Sequence, residues 1–164
     1  MNAVARPNMA ERWLAFTLAG QRYALPLDSV SRIVRAAAVT PLPLAPDPVA
    51  GALDLGGRVV PVYDLRRRFC LPERPLGLDD HFVIARTAQR EVALIVDQAL
   101  GLIAAPAMND AGALAPHLRH LLGVLSLPDG LVFIHDLESF LSPEEDAALQ
   151  WAMRAAEERC TPTP

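Results

Sequence analysis

No lysine occurs in this chain; all 15 basic residues are arginine. That removes Schiff-base chemistry and the lysine of a phosphate-binding loop. Cysteine is nearly as scarce. Cys70 and Cys160 are the only two. They lie far apart and match no metal or redox spacing, so they read as unpaired thiols of a reducing compartment. Long apolar runs are missing too. The apolar runs span only a few residues, as in Val59-Val60-Pro61-Val62, whereas a membrane span needs roughly 18. The opening residues, MNAVARPNMAERW, hold no continuous apolar stretch of the kind a secretory signal carries. The expected compartment is the cytoplasm, with no direct membrane insertion. A positive balance is also absent: the formal net charge is −4, which argues against nucleic-acid binding. What the chain has is apolar material, 52% of its 164 residues. That is enough for a core, in one domain or two tightly joined halves.

Short apolar runs broken by Gly, Pro and Asp predict an all-β fold. Trp13–Leu18 and Arg22–Leu27 are predicted strands around a turn at Ala19-Gly20-Gln21. Asp28 is placed to cap a short helix over Ser29–Val34, with Val30, Ile33 and Val34 on one face. Pro41, Pro43, Pro46 and Pro48 then hold the chain extended. Gly51–Leu55 and Arg58–Tyr63 flank Gly56-Gly57, a strong hairpin signal. After a loop marked by Pro72, Pro75 and Gly77, strands resume at His81–Arg86 and Glu91–Val96, and an apolar run covers Leu100–Ala105. Ala107–Leu118 reads as loop with a helical turn. A last hairpin, Leu121–Leu127 with Leu131–Ile134, turns at Pro128-Asp129-Gly130. Ser142-Pro143-Glu144-Glu145 is a capping box with proline at the first helical position. Leu149, Ala152, Met153 and Ala156 follow at helix spacing. Residues 1–10 and 161–164 have little to bury and are expected to be flexible.

The most informative feature is a repeat. Gly51–Leu65 aligns without gaps to Gly123–Leu137, with six of fifteen positions identical: Gly51/Gly123, Leu53/Leu125, Leu55/Leu127, Val60/Val132, Asp64/Asp136 and Leu65/Leu137. A weaker echo pairs Tyr23–Asp28 with Val92–Asp97 in the same order. Each half would be a hairpin, a linking segment and a second hairpin. A unit of about 60–70 residues is marginal alone, so the halves should share an apolar seam, a natural place for a binding groove. The repeated Asp64 and Asp136 admit a reading as a catalytic carboxylate pair of a hydrolase. The simpler reading is that each caps the turn after its strand, and the Asp-Thr/Ser-Gly motif of a two-lobed aspartic protease is not present at either place.

The pattern F-x-L-x-x-x-x-Y-A-L-P-L-x-x-V at Phe16–Val30 resembles the opening of chemotaxis coupling proteins, the CheW-like family. So does P-x-x-P-x-x-V-x-G-x-x-x-L-x-G-x-x-V-P-V-x-D-L-R-x-R-F from Pro43 to Phe69, and V-D-x-x-x-G-L-I at Val96–Ile103. The resemblance runs from about Trp13 to Leu149. It implies an all-β fold of two SH3-like five-stranded β-barrel subdomains related by internal duplication, with a short helix and a C-terminal α-helix. The CheW-like domain would cover 11–149, with subdomain 1 at about 11–75 and subdomain 2 at about 80–141; the C-terminal helix would cover 142–160. The resemblance further implies a non-catalytic adaptor without cofactor or metal. Its partners would be the regulatory domain of a CheA-type histidine kinase and the cytoplasmic tip of a methyl-accepting chemoreceptor, with the adaptor itself monomeric or weakly self-associating. An alternative is the adaptor of a non-flagellar pathway, such as type IV pilus or surface sensing, or a competitor of the main coupling protein.

Carried over residue by residue, the receptor- or kinase-binding positions are Val30 and Arg32, Gly51, the hairpin residues Asp54, Gly56 and Gly57, and Val96 with Leu100. Two depart from the family pattern. Val30-Ser31-Arg32-Ile33 has Arg where the family carries Glu, and Asp54-Leu55-Gly56-Gly57 has Gly where it carries Arg. A charge reversal discriminates against a standard partner, so a partner with different charges is expected. Arg58 is placed to supply the missing guanidinium. Other candidates rank lower. His117 and His120 make too small a set for a metal site. Cys70 lacks an oxyanion-hole glycine pattern. Arg66-Arg67-Arg68 reads as a solvated face or as partners for Glu73 and Asp79. Trp151, off the main helix face, reads as packed against the adjacent barrel rather than as a partner contact.

Overall fold

The computed structural model describes residues 11–105, 109–110 and 121–160. The expectations for residues 1–10 and 161–164, for most of Ala107–Leu118, and for His117 and His120 lie outside them. The strands are β1 (Glu11–Leu18), β2 (Gln21–Pro26), β3 (Val30–Arg35), β4 (Val49–Leu55), β5 (Arg58–Asp64), β6 (His81–Arg86), β7 (Glu91–Val96), β8 (Gln98–Ala105), β9 (Asn109–Asp110), β10 (Leu121–Leu127) and β11 (Gly130–His135). Two α-helices, α1 (Leu65–Arg68) and α2 (Pro143–Cys160), and two 3-10 turns, Leu27–Ser29 and Leu137–Ser139, complete the described elements. The four predicted hairpins are all present, and β6, β7 and β10 have the predicted ends.

The strands form a first sheet in the order β3-β6-β7-β5-β4 and a second in the order β8-β1-β2-β11-β10-β9. Each sheet curls on itself. Beyond β3, Thr40 bridges Ala52 of β4, with Thr40 N–H donating to Ala52 O at 3.0 Å and Ala52 N–H to Thr40 O at 2.8 Å. In the second sheet, the edge strands β8 and β9 are separated by residues 106–108 alone, so their facing ends lie within about 15 Å of each other.

The duplication holds in the register. Leu14 pairs Leu25 in β1–β2, and Val83 pairs Leu94 at the matching place in β6–β7. The parallel pairs Val62↔Ala93 and Ile134↔Ala24 correspond, as do the bridges Thr40↔Ala52 and Asn109↔Val124. Even the bulges repeat: Ser31 and Leu100 are the extra residues of β3 and β8, Ala50 and Leu122 those of β4 and β10. The second sheet's sixth strand, β9, is thus the counterpart of the Thr40 bridge, which is why six strands appear where five were expected.

The sheets do not follow the expected division at residues 75–80. The hairpin β1–β2 completes the second sheet and β6–β7 completes the first. Each half lends a hairpin to the other's barrel, a long-range exchange that local patterning does not encode. The two lent hairpins pack face to face. Leu14, Phe16, Leu18 and Leu25 meet Val83, Val92, Leu94 and Val96 in one core, joined by Leu149 and Ala152 of α2. Each barrel has its own interior as well: Leu53, Val60, Val62, Phe82, Ile84 and Ala93 in the first, and Trp13, Ala24, Leu125, Val132 and Ile134 in the second.

The helix expected over Ser29–Val34 is not there. A 3-10 turn, Leu27–Ser29, contains Asp28 and leads into strand β3. The bulge at Ser31 explains the difference. It breaks the two-residue alternation, so Val30 and Ile33 lie on one face and Val34 on the other. This spacing imitates a helical stripe. The C-terminal helix is as predicted. Glu145 N–H donates to Ser142 Oγ at 3.1 Å, and Ser142 N–H donates to Glu145 Oε1 at 3.0 Å. Its first turn is tied to the first barrel by Arg68–Glu145 at 2.6 Å and by an Arg90–Asp146 pair. Trp151 differs from expectation: it points outward at 59% exposure, because Leu149 and Ala152 take the buried face.

Candidate docking surface

The hairpin β4–β5 stands at one end of the first barrel. Gly56 and Gly57 take φ of +64° and +92°, left-handed values that a tight β-hairpin turn requires and glycine adopts without strain. Asp54 fixes the turn, its Oδ1 accepting from Gly57 N–H at 2.7 Å. Arg58, the next residue, extends its side chain toward Glu91 of β7, at 3.2 Å.

Strand register shows what shares this end. Arg32 pairs Ile84, whose side chain fills the barrel interior, so Arg32 lies on that same face. Arg86 is two residues beyond Ile84 and pairs Glu91 directly, 3.8 Å away. Glu91 precedes the interior residue Ala93 by two, and Arg58 precedes the interior Val60 by two. Alternation along each strand carries the inner face out to the rim, where Arg32, Arg86, Glu91 and Arg58 form a row across β3, β6, β7 and β5. The Glu91 side chain is 13% exposed, against 60% for Arg58 and 70% for Arg86. Three arginines thus share a rim with one largely covered carboxylate, and Arg32 has no ion-pair partner among the described residues.

Of the positions expected from the sequence, Val30, Arg32, Asp54, Gly56, Gly57 and Arg58 come together at this end. Val30 itself is half-buried against the shared core. Gly51 and Val96 have no surface to offer. Val96 is fully buried in the shared core. Gly51, buried at φ +155°, lies so close to the barrel-closing bridge that a Cβ there would sit 2.2 Å from Thr40 O. Leu100 is exposed on the bulge of β8, in the other sheet, with Leu102 exposed beyond it and Ile33 exposed on the corresponding strand β3. Leu102, Ile33, Arg86 and Glu91 were not anticipated. The register of β1–β8, β3–β6 and β6–β7 is what brings them out.

A separate polar network around α1, Asp80 and Asp97 holds the opposite end of the first barrel. The arginine run is not a solvated face. Arg66 is buried and donates to both oxygens of Asp97 at 2.7 and 2.8 Å. Arg67 reaches Asp64 and Glu73, and Arg68 reaches Glu145. Each arginine of a short helix points a different way, so only the Glu73 contact matches the expected pairing. Asp97 also accepts from Arg74 at 2.7 Å and from Ala19 N–H at 2.9 Å, tying β7 to the β1–β2 turn. Arg74 hydrogen-bonds Asp80 at 2.6 and 2.8 Å, and those bonds, with Gly77 N–H, hold the Asp80 carboxyl below its ordinary value against the opposing effect of burial. Asp64 and Asp136 accept from Arg66 N–H at 3.0 Å and Glu138 N–H at 3.2 Å, the capping role. They follow strands of different sheets. Among the described residues no group of three His, Cys, Asp or Glu side chains is arranged to hold a metal.

The CheW-like domain family matches residues 12–145. The chain belongs to the CheW-like family. Among curated relatives, the chemotaxis protein CheW of Klebsiella aerogenes is 30% identical over 155 residues, covering 90% of this chain and 91% of that one. Protein FrzA of Myxococcus xanthus is 31% identical over 129 residues, covering 75% of this chain and 78% of that one. The crystal structure of the scaffolding protein TtCheW from Thermoanaerobacter tengcongensis superimposes with a TM-score of 0.75 at 22% identity, covering 88% of this chain and 96% of that one. That likeness establishes the two-barrel fold.

Proposed function

We propose that this CheW-like chain is a non-catalytic coupling adaptor of the cytoplasm, which holds a chemoreceptor's cytoplasmic tip and the regulatory domain of a CheA-type histidine kinase in fixed geometry. The observation that carries the reading is the family match over residues 12–145, which takes in both interleaved barrels. An adaptor needs rigid, separate faces, and two are available: the arginine-bearing mouth of the first barrel, and the exposed Leu100 and Leu102 on β8 of the second sheet. Signal would pass as differential affinity for two partner states. Asp64 and Asp136 are committed to capping, which leaves the hydrolase reading without support.

The test is reconstitution with the receptor tip and kinase regulatory domain encoded in the same genome. Binding of both partners, and receptor control of kinase autophosphorylation only when the chain is present, is the expected result. Failure to bind either partner would refute the adaptor reading. Arg32, at a position where the family carries Glu, favours a pathway with its own partner set, such as pilus or surface sensing. Preference for the kinase of such a pathway over a flagellar one would distinguish it.

A further inference from the structure

Helix α2 turns a second stripe to solvent. Leu149 and Ala152 take its buried face. On the far side, at helix spacing, lie Glu144, Ala147, Trp151 and Arg154, all exposed. Trp151 is 59% exposed, whereas Trp13, the other tryptophan, is 4% exposed inside the second barrel. The neighbours of the indole on the helix surface are Ala147, Ala148 and Ala155, all too short to cover it. A bare ring is the anchor of a contact, and the alanines beside it leave room to receive another.

The charges on this stripe are also without partners. Of the three acids in the first turn, Glu145 pairs Arg68 and Asp146 pairs Arg90. Glu144 has no ion-pair partner among the described residues, and neither has Arg154. These two lie ten residues apart, about 15 Å along the helix, so they do not reach each other.

We infer that α2 packs against α2 of a second copy of this chain, antiparallel about a two-fold axis. With Glu144 set against the partner's Arg154, the symmetry sets Arg154 against the partner's Glu144. The same register lays Trp151 on the partner's Ala147, and the partner's Trp151 on Ala147. One alignment thus closes two ion pairs at its ends and seats two indoles on alanines between them. A parallel pair would instead bring Glu144 to the partner's Glu144. Opposed helix dipoles add to the antiparallel choice, and the alanines allow the close approach of about 8–10 Å that packed helices adopt. The contact is about three turns long, short of the roughly 1,200 Å² buried in stable interfaces. The dimer is therefore weak and forms where the chain is concentrated. This inference does not rest on the adaptor reading.

Sedimentation velocity of the full chain, from about 10 μM to about 1 mM, covers the range of a weak association constant. The expected result is a mass that climbs from monomer toward dimer with concentration. Trp151→Ala should lower the association constant roughly tenfold or more. Glu144→Arg and Arg154→Glu should each lower it at low salt, because each brings two sets of like charges together. That loss should fade near 1 M salt, where the Debye length is about 3 Å. The double variant Glu144→Arg with Arg154→Glu restores both pairs with their signs exchanged and should recover most of the loss. Melting at the lowest concentration checks that each variant is folded. A parent that stays monomeric throughout overturns the inference. So does a dimer that Trp151→Ala leaves intact, since the contact then lies elsewhere. Single reversals that weaken the dimer without rescue by the double variant overturn the antiparallel register. Binding of the receptor tip and kinase domain is measured separately, so failure here leaves the adaptor reading standing.

Discussion

Gly51 tests how the first barrel is closed. A Cβ added there would stand 2.2 Å from Thr40 O, 2.7 Å from Val39 Cγ1 and 2.9 Å from Thr40 C. Two of those atoms are backbone, and Thr40 O already accepts from Ala52 N–H at 2.8 Å. No rotamer change relieves such a contact; the segment carrying Thr40 must move off β4. Overpacking of this kind costs about 1–3 kcal/mol. Loss of the two bridging hydrogen bonds adds about 0.5–1.5 kcal/mol each. We therefore predict that Gly51→Ala destabilises the fold by about 2–6 kcal/mol, out of a total of about 5–15 kcal/mol for a protein of this kind. At about 2–4 °C per kcal/mol, the melting temperature falls by roughly 4–24 °C. The assay is urea and thermal unfolding followed by circular dichroism, with Gly56→Ala beside it. Gly56 is also left-handed, but a Cβ added there would meet nothing within 4 Å, so Gly56→Ala should cost only about 1 kcal/mol. A Gly51→Ala protein within ~0.5 kcal/mol of the parent, the range of an ordinary surface change, would refute the reasoning. Partner binding should track this loss of stability, since Gly51 is buried and reaches partners only through the fold.

Three further outcomes follow from the polar network and the C-terminal helix. Arg66→Ala should destabilise by about 2–4 kcal/mol, read from the urea midpoint, because it uncovers a carboxylate in a largely buried pair; Arg74 remains on Asp97 and keeps the loss below that of a wholly stripped ion. Asp80 is held below its ordinary value by Arg74 first and then by Gly77 N–H, so the folded state binds its proton less readily than the unfolded chain. Its contribution is fully present above the unfolded value of 3.8 and is lost as pH falls through the folded one; Asp80→Asn should flatten the stability-versus-pH curve below about pH 4, measured by unfolding at stepped pH. Trp151→Ala should leave stability within about 0.5 kcal/mol of the parent, because the indole is mostly in solvent; a larger loss in thermal unfolding would mean that the side chain packs in solution.

Much of the fold was legible because its signals are local. Gly56-Gly57 and Pro128-Asp129-Gly130 mark turns, and Ser142 with Glu145 marks a helix start. The six identities between Gly51–Leu65 and Gly123–Leu137 announced the duplication. The errors fall where two local codes coincide or where none exists. In Val30-Ser31-Arg32-Ile33-Val34 an extra residue in the strand turned alternation into a helix-like spacing; the β-branched residues were the better guide. The exchange of hairpins had no local signal at all. A repeat of hairpin, linker and hairpin reads the same whether β1–β2 joins its own half or the other.

That exchange also explains why the arginine-bearing mouth was only half visible. Arg32 and Arg58 come from the first half, and the aligned motifs drew attention to both. Arg86 and Glu91 come from the second half, on the lent hairpin β6–β7, where in sequence they look like ordinary polar residues flanking a turn. Only pairing across β3-β6-β7-β5 places them in one row. The charge of the mouth is therefore a joint property of both repeats, and a change in either half alters it. Duplication made two mouths of the same geometry, and divergence at four matched positions made them chemically different: one carries three arginines and a single glutamate, the other closes on its own Arg22–Asp129 pair. An adaptor of the kind proposed, with two unlike partners to hold, would gain that distinction without altering its backbone.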